Sequence, residues 1–254
     1  MLGGVPPPVY FLSDAHMGAE PPAAEAAKER DLIDWLDSLE PDATLYLLGD
    51  LFDFWFDFGG DPPASHLPVL DALRRATGRG VTAAFMGGNH DYWARTGRGP
   101  GWLEREVALR LVPDPFVAVH HGRRLLLTHG DALGGATGGY RVVRTVLRSR
   151  LAIAAFRLLP ARLGRAIARR TSAASRSRHH EEALFAHRAR LAEAAEAILA
   201  TGEVDAVIAG HVHHPERRET ERGVYLNLGD WMAHRTFGRL ADGRLELVRW
   251  GAGP

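Results

Sequence analysis

The chain has 254 residues, 46% of them hydrophobic, with 31 basic side chains against 31 acidic ones. Zero net charge excludes a global attraction to nucleic acid, and the absence of cysteine excludes disulfides, thiolate metal sites and cysteine nucleophiles. No apolar run is long enough to span a bilayer, and the opening MLGGVPPPVYFL lacks the basic start and long apolar core of a signal peptide, so a cytoplasmic protein is expected.

Taken in order, VYFLSDAH (9–16) reads as a short buried strand, and PPAAEAAKERDLIDWLDSLE reads as a helix with Leu32, Ile33, Leu36 and Leu39 at helical spacing. ATLYLLGD is a second strand, a helical stretch near 67–77 follows, and VTAAFMGGNHD is a third strand running into a glycine-rich loop. Further strands are expected at 116–120, 124–129, 204–210, 224–228 and 244–249. Strands alternating with helices predict an α/β sheet whose functional groups gather at the carboxyl ends of its strands. A helical insertion is expected at about 134–200, broken by Pro160 and by TSAASRS. Between Ala132 and His180 it carries 11 arginines and no acid, a charge bias suited to an anionic surface or substrate. The ratio of 30 arginines to one lysine over the whole chain reads as a coding bias.

Five apolar runs each end in a polar cluster. FLSDAH carries Asp14 and His16, which on an extended strand would point the same way and reach one ion. LYLLGDLFD carries Asp50 and Asp53, MGGNHD carries Asn89, His90 and Asp91, LLLTHGD carries His129, and VIAGHVHHP carries His211 and His213. Singly these read as turn or capping residues. A stability requirement would not place such residues after five apolar runs in succession, whereas a site would. Oxygen and imidazole donors without thiolate suit Mn2+, Fe2+ or Zn2+. Seven of them exceed what one ion takes, but fit two ions roughly 3.5–4 Å apart with a shared carboxylate.

The series DxH, GDxxD, GNHD, H, GHxH, from residue 9 to about 230, resembles the calcineurin-like metallophosphoesterase superfamily. The resemblance implies a single domain over 1–254, built as a four-layer αββα sandwich with a dinuclear centre and the 134–200 insertion as a lid. It also implies ligands: Asp14, His16 and His213 for one metal, Asn89, His129 and His211 for the other, and Asp50 as the bridge. Two ions, Mn2+ before Fe2+ or Zn2+, would activate water. His90 would then serve as acid or transition-state stabiliser, oriented by Asp53, with Asp91 an alternative orienting group. Within the superfamily, GDLFDFWF, LTHGDAL followed by Tyr140 and Arg144, GHVHHP and YLNLGDW are similar to the hydrolases of UDP-2,3-diacylglucosamine, peripheral membrane enzymes that release UMP and a lipid phosphate. That likeness implies Tyr140 and Arg144 as substrate contacts, a nucleotide-linked lipid substrate, and a cytoplasmic protein peripheral at the inner face of the membrane.

Two departures keep other readings open. His90 stands where those hydrolases carry arginine, and Ala136 and Thr137 stand where they carry an acidic pair. The alternatives are a soluble phosphodiesterase or nucleotide pyrophosphatase of the same superfamily acting on a small phosphoester, and an inactive scaffold. The remaining arginines of the insertion read mostly as a solvated face. His120, His121, His179, His180 and His187 are expected to be exposed, and His214 and His234 to line the cleft.

Overall fold

A computed structural model describes residues 6–134, 142, 145–160, 163–164 and 181–251. Strands β1 (Val9–Leu12), β2 (Thr44–Leu48), β3 (Thr82–Met86) and β4 (Arg110–Val112) lie parallel in one sheet. Two later strands, β10 (Thr236–Ala241) and β11 (Arg244–Arg249), extend it in the order β11-β10-β1-β2-β3-β4. The second sheet runs β5-β6-β7-β9-β8, from β5 (Phe116–His120), β6 (Arg123–Thr128), β7 (Ala206–Ala209), β8 (Pro215–Thr220) and β9 (Gly223–Leu228).

Both faces of the central strands are buried, which is why they read as unbroken apolar runs. Successive side chains alternate between two cores. Phe11, Tyr46, Leu48 and Met86 meet Leu125, Leu127 and Ile208 between the sheets. Tyr10, Leu12, Leu45, Leu47 and Phe85 face the other way, onto helices α1 (Pro22–Ser38) and α2 (Leu67–Gly78). Leu32, Leu36, Leu70 and Leu73, at most 1% exposed, fill that outer layer, each contributing about 1.5–3 kcal/mol by burial. A short helix α3 (Trp102–Glu106) closes the same side.

On the far side of the second sheet, Leu191, Ala195 and Leu199 of a long helix pack on Val207, Ala209 and Tyr225. The layers are therefore helix, sheet, sheet, helix, the expected αββα sandwich. That long helix, Glu181–Ala200, supplies the fourth layer through its carboxyl half. It is α5 here, α4 being Arg150–Arg157, which has no buried residue. α4 starts on Ser149, whose hydroxyl accepts from the Ala152 N–H at 3.2 Å. Tyr140, Arg144, His179 and His180 lie outside the described residues.

Candidate metal centre

All five polar clusters sit just past the carboxyl ends of β1, β2, β3, β6 and β7, on one edge of the sandwich. Asp14 and His16 converge, but not by the alternation of an extended strand. β1 ends at Leu12, and Asp14 and His16 take left-handed backbone angles, with φ 53° and 43°. Asp50, His211 and His213 do the same, with φ 54°, 71° and 51°. Left-handed non-glycine residues are uncommon and cost of order 1–3 kcal/mol each, and they collect at functional sites. Here five of the seven expected ligands adopt that conformation.

The donor atoms crowd together. His16 Nε2 lies 3.2 Å from His213 Nε2 and 3.8 Å from Asp14 Oδ1, and His213 Nε2 lies 3.2 Å from the same Asp14 oxygen. Asp50 Oδ2 stands 3.6 Å from His16 Nε2 and 3.4 Å from His129 Nε2, between the two groups. Asn89 Oδ1 is 3.0 Å from His129 Nε2. The His211 ring lies 5.1 Å from that of His129, and the main-chain N–H of His211 donates to Asp14 Oδ2 at 2.9 Å. All seven expected ligands are thus in one place.

Close backbone approach makes this possible. Gly49 has φ +89°, and a Cβ there would stand 2.7 Å from His129 Nδ1. A Cβ on Gly88 would stand 2.7 Å from the Asp50 nitrogen and drive into its carboxylate. Asp91, fully buried, ties the two loops: its oxygens accept the N–H groups of Asp50 (3.1 Å), Leu51 (2.7 Å), Phe52 (3.2 Å) and Gly88 (2.9 Å). Burial and the Asp50 carboxylate push its pKa up to about 7, while those N–H donors pull the other way. Asp91 is therefore a loop clamp and does not orient His90. The His90 Nδ1 pairs instead with the main-chain carbonyl of Asp53 at 2.9 Å, and the Asp53 carboxylate is 3.6 Å away.

A family model described as "Calcineurin-like phosphoesterase" matches residues 7–215. The chain belongs to that family. Curated relatives include the UDP-2,3-diacylglucosamine hydrolase of Ralstonia nicotianae, 32% identical over 94% of this chain and 91% of the relative. The enzyme of the same name from Xanthomonas campestris pv. campestris is 32% identical over 92% and 95%, and that of Photorhabdus laumondii is 29% identical over 94% and 97%. The protein is a hydrolase of phosphoester or pyrophosphate bonds.

The site of this phosphoesterase fits the divalent ions its family uses. Donors about 2.1 Å from one ion stand about 3.0 Å apart at right angles and about 3.4 Å apart at the tetrahedral angle, and the spacings above run from 3.0 to 3.8 Å. Asp14 Oδ1 is buried and meets no hydrogen-bond donor among the described residues. His129 Nδ1 lies 2.9 Å from the Leu48 carbonyl, which assigns the proton to Nδ1 and turns the Nε2 lone pair inward. Charge is balanced for cation uptake. Burial opposes ionisation of Asp14 and Asp50, but the surrounding histidines outweigh it and hold both carboxyls well below the ordinary range. Burial lowers His129 and His213 as well, yet the neighbouring carboxylates win and raise both. His211 is pushed down to about 3 by burial and by His129, so its ring is neutral.

Three residues depart from their expected settings. His187 is not on a solvated face: it is half-buried on α5 with its ring 5.1 Å from that of His211. His120 pairs with the Tyr46 hydroxyl at 2.9 Å. Arg148 docks on the GNHD loop: its guanidinium lies 3.9 Å from the Tyr92 ring centre, donates to the Gly88 carbonyl at 3.2 Å and meets buried Asp131 at 3.4 Å. Beside it, Trp93 Nε1 donates to the Leu147 carbonyl at 3.1 Å. None of these contacts has a local sequence signal. His234, expected at the cleft, pairs through Nδ1 with Asp230 at 2.7 Å, and the next residue, Trp231, donates its N–H to the Asp14 carbonyl at 3.1 Å.

Proposed function

We propose that this phosphoesterase hydrolyses the pyrophosphate of UDP-2,3-diacylglucosamine, or of a similar lipid-linked nucleotide, to UMP and a lipid phosphate. The carrying observation is the identity of 32% over nearly the full length of hydrolases with that substrate in their name, insertion included. Surface chemistry supports it. Among the described residues, 11 large apolar side chains are exposed and seven of them fall in 142–185, with Leu151 at 84% and Leu158 at 86%. An apolar surface of that kind suits acyl chains or the face of a membrane. No helix among the described residues is long and apolar enough to cross one.

In this reading Asp14, His16 and His213 would hold one ion and Asn89, His129 and His211 the other, with Asp50 shared between them. Mn2+ is the favoured metal, with Fe2+ and Zn2+ next. Two bound cations supply an acidified water near neutral pH and offset phosphoryl charge. The chain's residues do the rest. The Leu48 carbonyl and the left-handed turns aim the ligands, so little reorganisation is left for the reaction. His90, with Nδ1 engaged by the Asp53 carbonyl, would hold or deliver a proton at the leaving oxygen. Tyr140 and Arg144 are the proposed substrate contacts.

The test is UMP release from UDP-2,3-diacylglucosamine by manganese-loaded protein, with Asp50→Asn as blank. Release that is absent in the blank is expected. Hydrolysis of a generic phosphodiester without UMP release would overturn the lipid substrate. It would favour the second reading, a soluble phosphodiesterase or nucleotide pyrophosphatase, to which His90 in place of the hydrolases' arginine points. Fewer than one divalent ion per chain after manganese loading would leave an inactive scaffold.

A further inference from the structure

Lysine is nearly absent from this chain: 30 arginines stand against Lys28 alone. That single lysine is fully buried, on α1 beneath the turn that carries His16. Its Nζ donates to the His16 carbonyl at 2.9 Å and lies 3.1 Å from Glu25 Oε2 and 3.4 Å from Glu20 Oε2. One hydrogen bond to a carbonyl and two carboxylate oxygens at ion-pair distance thus surround a single nitrogen. Glu25 completes the lock, accepting the N–H groups of Gly18 at 2.7 Å and Glu20 at 3.0 Å. The backbone fixed in this way is irregular, with His16 at φ 43° and Gly18 at φ 96°.

A bias that has placed arginine at every other cationic position has spared this one. Geometry gives the reason. A guanidinium is a larger, planar fork with its charge spread over three nitrogens, whereas an ammonium presents its charge at one point to the carbonyl and both carboxylates. The helix is held in place as well, since Trp231, itself fully buried, packs at 5.4 Å from Trp35 of the same helix and donates Nε1–H toward the Lys28 main-chain carbonyl at 3.4 Å.

We propose that Lys28 is a positioning residue for the metal centre: its ammonium holds the His16 carbonyl and so fixes the left-handed turn that aims Asp14 and His16 at one ion, a task arginine cannot perform. The proposal rests on the assignment of His16 as a metal ligand. A merely structural ion pair would alter stability and leave the ions alone, so metal affinity is the deciding readout.

Manganese titration of the wild type and of Lys28→Arg and Lys28→Met, by calorimetry, is the experiment, with urea unfolding of each metal-free protein alongside. Lys28→Arg is expected to bind one ion as the wild type does and the other about 10–100-fold more weakly, the usual cost of losing an outer support, with kcat regained at saturating manganese. Two ions bound with wild-type affinities in Lys28→Arg would overturn the proposal whatever its unfolding midpoint. If neither variant folds, the wild type labelled with 15N-lysine decides, because it gives one side-chain resonance. That signal should be protected from solvent exchange and broadened by the first equivalents of Mn2+, and a signal unbroadened at two equivalents would overturn the proposal. Failure of the wild type itself to bind two ions is a separate result, and refutes the metal assignment on which the proposal stands.

Discussion

Asp91→Asn is the sharpest perturbation the structure offers, because it changes one atom and no shape. In the native loops Oδ1 takes the N–H groups of Asp50 and Gly88, and Oδ2 takes those of Leu51 and Phe52. An asparagine keeps one acceptor oxygen and turns an NH2 group toward the other two donors. Two buried N–H groups then lose their acceptor and face further N–H bonds. At about 1–3 kcal/mol for each unsatisfied group, the metal-free protein should lose about 2–6 kcal/mol, a large share of the 5–15 kcal/mol that holds an ordinary domain together. Urea unfolding of the chelated protein measures this as a drop in midpoint at unchanged slope. The damage should also be local, since the clamp joins the loop of Asp50 to the loop of Asn89, and turnover should fall further than stability alone explains. A loss below about 1 kcal/mol, with wild-type turnover, would refute the clamp and return Asp91 to the role of an ordinary turn residue.

Asp50→Asn should abolish turnover, and near wild-type hydrolysis by this variant would refute the bridging assignment. His90→Ala should keep both ions by metal analysis and slow the chemical step by roughly 10²–10⁴-fold, the usual acid-base contribution, whereas loss of an ion would make His90 a ligand. Gly88→Ala should fold yet fail to bind two ions, because its Cβ enters the space of the Asp50 carboxylate; normal metal content would count against the close-approach argument. In the metal-free protein His129 and His213 hold protons above the ordinary histidine range and His211 holds none. Manganese must displace the protons held, so its affinity should rise with pH and binding near pH 7 should release protons, seen by calorimetry in two buffers of different ionisation enthalpy. Release of none would contradict the charge scheme.

Much of this centre is legible in the sequence because burial and chemistry separate cleanly along the chain. The central strands face a core on each side, so they read as apolar runs, and any Asp, Asn or His at their ends stands out against them. The helices α1 and α2 are legible for the same reason, from leucines at helical spacing. β8 is not, because PERRET is an edge strand, paired among the described residues with β9, that carries charges on both faces: Arg217 meets Glu219 at 2.6 Å, while Glu216 meets Arg218 at 2.8 Å and Arg188 of α5 at 3.2 Å. Charged edges protect a sheet from further pairing, and they also erase the apolar alternation by which a strand is recognised. The grouping of α5 with a cap follows from the neighbouring arginine-rich stretch, yet Leu191, Ala195 and Leu199 bury against the second sheet.

The deeper gap lies in how the ligands are aimed. Spacing alone places Asp14 and His16 on one side of a strand, but they reach the same point through left-handed turns, a conformation that Asp and His tolerate better than other side chains. Such turns persist only where surrounding contacts over-determine them. Those contacts are the four N–H bonds on Asp91, the glycines at 49 and 88, and the ammonium of Lys28, and they reach across the chain: 12 residues from Lys28 to His16, 41 from Asp91 to Asp50 and 80 from Gly49 to His129. A motif therefore names the candidate donor atoms, while the geometry that gathers them is set by contacts between residues far apart in the chain, which no single motif pairs.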